Sequence, residues 1–237
     1  MSKAIFYLIV LINWPSMSGA QSTVKDISFS SYYHEIITHF PETVTGGHYI
    51  IPHRNMEGSP FYNNNDLENG TLIISGFEFQ DIPLQYELWD DLLITITPIH
   101  RQKIILNPLK VDQFTLSNGS TFVKKENVPS YYYHKHGFYR QIIKDKVGLY
   151  CKHWKEFQKK TSVAFRTDDR YNDRQRHFLE IDDQLFSVNK RKDAFELLGL
   201  QKKEVRVKTK NEGIKYKKNQ ERYLEIMVEM ANQKNNE

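Results

Sequence analysis

One cysteine in 237 residues is too few for an internal disulfide. The fold therefore stands on its apolar core, without the staples that small secreted eukaryotic domains ordinarily use. After the first twenty residues no run is apolar enough to span a bilayer, so no transmembrane segment is expected in the mature chain. Three chemical signatures are missing as well. There is no glycine-rich phosphate loop, no G-x-S-x-G elbow and no C-x-x-C pair, which removes the common nucleotide, serine-hydrolase and dithiol readings. The expected cofactor is none. Internal repeats and low-complexity tracts are also absent.

What is present begins with an address. Lys3 precedes the apolar run "AIFYLIVLINW", and Pro15 breaks it before "SMSGAQ". Ser18 and Ala20 are the small residues a signal peptidase accepts at −3 and −1, so residues 1–20 read as a secretory signal peptide cut before Gln21. Position 21 is not cysteine, so the acceptor for a lipoprotein anchor is lacking. The expectation is an exported protein, periplasmic or extracellular.

Charge is unevenly placed along the remainder. From Asn189 onward there are 13 Lys and Arg against 8 Asp and Glu, while residues 21–188 carry 19 against 21. The basic character belongs to the tail.

Hydrophobic periodicity divides the chain the same way. Between Gly70 and Val188, "TLIIS", "FEFQDIPLQYEL", "LLITITP", "QKIILNP", "DQFTLS" and "TFVKKE" are short runs rich in β-formers. They alternate with turn material at Ser75-Gly76, Trp89-Asp90-Asp91, Pro98-Ile99-His100 and Asn118-Gly119. Two further hairpins turn at Lys144-Asp145-Lys146 and at Asp182-Asp183. From Asn189 the pattern becomes helical. "RKDAFELLG" is stopped by Gly199, and "QKKEVRVKTKNEG" ends near Gly213, although Val205, Val207 and Thr209 alternate as a strand would. In "NQERYLEIMVEMAN", Tyr223, Ile226, Met227, Met230 and Ala231 make one apolar stripe behind Asn219 as cap. The fold class is α+β: mainly antiparallel β-sheet of meander and hairpins, with a small C-terminal helical region. The divisions are 1–20, a β-rich domain over 21–188 with a turn-rich start, and a basic helical region over 189–237.

Several constellations invite sharper readings. "HEIITH" spaces His34 and His39 by five, about 140° around a helix, whereas zinc-protease histidines at i and i+4 lie about 40° apart. The motif fails on geometry. In "SYYYHKHGFYR", His134 and His136 share a strand face and His153 on the next strand could approach them, which makes these three the only metal candidates. No carboxylate or cysteine in register completes a closed site, and the stretch reads as a loop entering an amphipathic strand. Its aromatics and cations would also suit stacking on a single nucleic-acid strand, but an exported protein rarely meets nucleic acid. Asp90-Asp91, Asp168-Asp169 and Asp182-Asp183 sit at turn positions, where aspartate is favoured for local hydrogen bonding. "NGT" at Asn69 and "NGS" at Asn118 match the glycosylation pattern, but Asn-Gly favours tight hairpin turns, and both read as turns. Cys151 lies mid-strand and reads as packed rather than nucleophilic.

Taken with the signal peptide, "EGSPF", "IPLQYELWDDLL", "GFYR" and the helical ending resemble a group of uncharacterised exported proteins of the Bacteroidota type. The resemblance implies a Gram-negative envelope location and carries no activity or site residues with it. The functional expectation is a non-enzymatic binding or scaffold module whose partner is an unknown envelope protein or polymer. The alternative is a secreted hydrolase with dispersed catalytic residues.

Overall fold

The computed structural model describes residues 46–51, 56–63, 65–97, 100–126, 137–158 and 169–234. The signal segment, "HEIITH", Pro98-Ile99, His134, His136 and Asp168 lie outside the described residues.

Among the described residues, ten strands form a single antiparallel sheet. They are β1 (Glu68–Ile74), β2 (Phe77–Glu87), β3 (Leu92–Ile96), β4 (Lys103–Ile105), β5 (Val111–Thr115), β6 (Thr121–Lys125), β7 (Gly137–Ile143), β8 (Val147–Gln158), β9 (Arg170–Ile181) and β10 (Gln184–Val188). Three helices of the described residues follow, α1 (Arg191–Leu198), α2 (Lys202–Asn211) and α3 (Gln220–Lys234). The α+β, β-rich class expected from the periodicity is the one observed.

Turn chemistry sets the hairpins. Ser75 and Gly76 (φ 50° and 81°) and Asp182 and Asp183 (φ 50° and 60°) each close a two-residue loop with both residues left-handed, the type I′ geometry that matches strand twist. At Asn118-Gly119 only Gly119 is left-handed, with φ 80°, and its N–H bonds to Leu116 O at 2.9 Å. That hairpin is a tight turn carrying its glycine at the fourth position. The turn expected at Asn69-Gly70 does not exist. Both residues lie inside β1, paired with Pro83 and Ile82. A Cβ on Gly70 would stand 2.2 Å from Thr115 O, so this glycine serves close strand approach rather than a bend.

The strand order is 10-9-8-7-6-5-1-2-3-4, two meanders sharing the β5–β1 ladder. Four strand spacings, about 19 Å in a flat sheet, would separate β4 from β5. Residues 106–110 join them and spend most of their length on a turn, with Lys110 N–H on Asn107 O at 3.0 Å. The sheet must curl to be joined so briefly. A bulge helps it do so: Leu72 pairs with Phe79 but Gly70 with Ile82, and Asp81 takes φ 56°. The extra residue bends β2 and shifts its inward set from Phe79 to Ile82, Leu84 and Tyr86, all buried. Tyr86 thereby meets Phe114 and Phe122 edge-on, at 5.1 and 4.8 Å between centroids.

One row of directly opposed residues crosses eight strands: Phe79, Leu72, Phe114, Phe122, Arg140, Cys151, His177 and Val188. Opposed residues share a face. The curled β1–β3 region covers the aromatic part of this row, and α3 covers the rest, against β7 and β8. The apolar stripe of α3 packs Tyr223, Leu224, Met227 and Val228 onto Val147, Leu149 and Leu179, and Ile226 is buried as well. Each large side chain so buried contributes roughly 1.5–3 kcal/mol. Asn232 donates to Val147 O at 3.0 Å and accepts from Val147 N–H at 2.8 Å, satisfying both backbone groups at the start of β8.

The remaining helices complete the cap. In α1, Asp193 accepts from the N–H groups of Asn189 and Lys190, and Gly199 ends the helix at φ 61°. The ambiguous segment is helical: Val205 and Thr209, one turn apart, are buried against α3, while Val207 is 57% exposed. A strand would have hidden all three together. No helix among the described residues is long and apolar enough to cross a membrane.

Candidate functional site

The polar stretch of the sheet row draws attention first. Arg140 on β7, Cys151 on β8 and His177 on β9 are adjacent in register, and Glu221 descends on them from the first turn of α3. A carboxylate at a helix N-terminus is favoured by the exposed N–H groups there. Ligand atoms of Cys151, His177 and Glu221 lie within 4.8 Å of one another. Glu221 pairs with the Arg140 guanidinium and accepts from His177 Nε2 at 3.4 Å, while Arg140 Nε donates to His153 Nε2 at 3.2 Å.

This geometry fixes the protonation states. The His177 hydrogen bond and the Arg140 charge hold the Glu221 carboxyl at about 2, fully ionised. Burial, with Arg140 alongside, takes His153 down to about 3, so its imidazole is neutral. Burial also pushes the Cys151 thiol up to about 12, against a smaller opposite pull from Arg140. A thiol so held is no nucleophile at neutral pH. A Cys, a His and a carboxylate are a plausible donor set for zinc, but Arg140 already sits among them as the cation paired with Glu221. A divalent ion there would face a guanidinium at contact distance. The cluster is closed on itself.

Of the metal candidates, His153 is placed beneath this network, its Nε2 occupied by Arg140 and its ring edge-on to Tyr62 at 5.1 Å. It has no free ligand atom at Nε2. Cys151 is fully buried, as its mid-strand position suggested.

A second polar cluster lies on the other face of β8. Lys152, with no exposed side-chain surface, reaches Asp91 Oδ2 at 2.6 Å and Phe138 O at 2.9 Å. Burial pulls its ammonium down, and Asp91 works against that. Asp91 also takes the Tyr86 hydroxyl and the Phe138 N–H (3.2 Å), so it fastens the β2–β3 turn to β7 and β8. Gly137, at φ 148°, leaves the room: a Cβ would come 1.9 Å from Asp91 Oδ2. This cluster clasps the curl shut. Of the turn aspartates, Asp90-Asp91 do lie in the β2–β3 connection and Asp182-Asp183 in the β9–β10 hairpin.

The third feature is open to solvent. A concavity of about 1090 Å³ lies between α1, α2, the connection to α3 and the start of α3. Its lining includes eight lysines and arginines and no acid. Lys190, Arg191, Arg206, Lys210, Lys217 and Lys218 are exposed, and none of the eight is ion-paired to an acid among the described residues. Its floor is apolar, formed by Phe195, Ile214 and the edge-on ring pair Tyr216–Tyr223. Summing charge along the tail signalled the cations; only the helix packing gathers them around one hollow.

No family model, no curated protein and no solved structure matches the chain. The site has to be judged on its own chemistry.

Proposed function

We propose that the protein is an exported, non-enzymatic binding module of the cell envelope. The observation that carries this reading is the contrast between its polar groups. The side chains that resemble catalytic or metal-binding sets are buried and spent on one another, whereas the exposed hollow offers cations and apolar surface without a general base, nucleophile or acid pair. Placement of Asp90-Asp91 and Asp182-Asp183 in strand connections supports the same side, since a hydrolase of the two-carboxylate kind needs its acids facing one cleft. The signal segment at residues 1–20 supplies the address.

The test is to incubate the purified mature protein, beginning at Gln21, with washed envelope particles and to follow two signals together. Saturable retention on the particles without release of soluble fragments is the expected result. Release of soluble fragments that grows with the amount of protein added would replace the module with the hydrolase.

A further inference from the structure

We infer that the hollow of the helical cap is a docking site for the anionic surface of a phospholipid membrane. The inference rests on the binding-module reading above and names its ligand. Charge complementarity comes first: eight cations and no acid line one concavity, and such a set attracts a negatively charged surface. The lining then narrows the class. Thr209 spends its hydroxyl on Val205 O at 2.8 Å, and Tyr216 already accepts from Gln220 Nε2 at 3.0 Å, so few oriented acceptors are left to read a sugar. Stacking of nucleic-acid bases needs open ring faces, but Phe195 and Tyr223 are 7% and 5% exposed. What remains accessible is the set of cations, which suits an extended anionic surface.

The outer face of α2 continues the pattern. Val207 is the exposed apolar residue of the helix; Lys203 and Lys210 flank it at i−4 and i+3, with Glu204 the one acid beside it at i−3. The lysines of this face extend the basic surface of the hollow, and clustered lysines near a membrane are drawn to anionic lipid. No bond is made or broken; the lysines displace counterions from headgroup phosphates, and the exposed Val207 meets the bilayer interface.

The measurement is co-sedimentation of the full mature protein with vesicles of phosphatidylcholine, with and without phosphatidylglycerol. Binding is expected only to the phosphatidylglycerol vesicles, falling as salt is raised. Each lysine near such a surface is worth roughly fivefold in partitioning, so Lys217→Glu with Lys218→Glu should weaken it by roughly twentyfold or more at unchanged melting temperature. Lys203→Glu with Lys210→Glu, on a different element, serves as the second variant should the first disturb folding. Equal binding to pure phosphatidylcholine, or retention of binding in both folded variants, would overturn the inference. So would displacement by millimolar inorganic phosphate at constant ionic strength, which marks a small-anion pocket, or preference for a single-stranded oligonucleotide. If vesicles fail but envelope particles still retain the protein, the lipid assignment falls and the binding-module reading stands.

Discussion

The two halves of the sheet solve one burial problem in different ways. Across β2, β1, β5 and β6 the shared row is Phe79, Leu72, Phe114 and Phe122, and the sheet covers it by curling, so that Tyr86 packs on rings two and three strands away. Across β7, β8, β9 and β10 the row is Arg140, Cys151, His177 and Val188, and helices cover it. Rings pack on rings without orientation-critical partners, so a curled sheet suffices there. A guanidinium and an imidazole must have their hydrogen bonds met when buried, and a helix that brings Glu221 by its N-terminus meets them. The comparison teaches that the cap is needed for polar satisfaction as well as for apolar area.

The strongest way to break the comparison is to remove one cover. Truncation before Asn219 takes away Glu221 and the buried stripe of α3, and bares Leu149 and Leu179. Loss of cooperative melting, with aggregation, is the expected outcome in calorimetry; an unchanged transition would show that the β7–β10 half holds without its cap. Next in size, Phe122→Ala removes the ring that stacks on Phe114 at 4.9 Å and meets Tyr86, and should cost about 3–5 kcal/mol in urea unfolding. Asp91→Ala should follow at about 3 kcal/mol, because it leaves Lys152 buried without its carboxylate. The same loss in an Asp91→Ala, Lys152→Met double variant would show that the clasp's worth lies elsewhere than in the pair.

The smallest effect is also the most specific, because the halves titrate in opposite senses. In the capped half, Glu221 is held at about 2, below its unfolded value, so its stabilisation is present above pH 4.5 and is lost as pH falls toward 2. His153, held at about 3, acts in the same direction: below pH 6.5 the unfolded chain takes up a proton that the folded protein refuses. In the curled half, burial raises Glu87 to about 7 although the N–H groups of Trp89 and Asp90 oppose it. The folded state then binds the extra proton, and stability declines as pH rises from 4.5 through 7. Melting temperature against pH should therefore fall less steeply below pH 4.5 in Glu221→Gln, where the His153 contribution remains, and should lose the Glu87 share of its neutral-side decline in Glu87→Gln. Identical profiles for wild type and both variants would mean that neither carboxyl is linked to folding.

What the sequence by itself determined is local. Alternation over 70–188, the Ser75-Gly76 and Asp182-Asp183 hairpins, the stop at Gly199 and the stripe of α3 could all be read from one stretch at a time. Each depends on the φ a residue tolerates or on the period at which apolar residues recur, and both are written within a few neighbours. The packed role of Cys151 was legible for the same reason: it sits in an apolar strand pattern. The tertiary structure alone decided that Asn69-Gly70 runs straight through a strand, because the reason is Thr115 O on a neighbouring strand. It also placed β5 beside β1, seated Arg140, Cys151 and His177 in one row, and brought Glu221 to them from 44 positions beyond His177. Register between strands and the landing point of a helix are set by which distant surfaces bury best together, and no local preference encodes that sum.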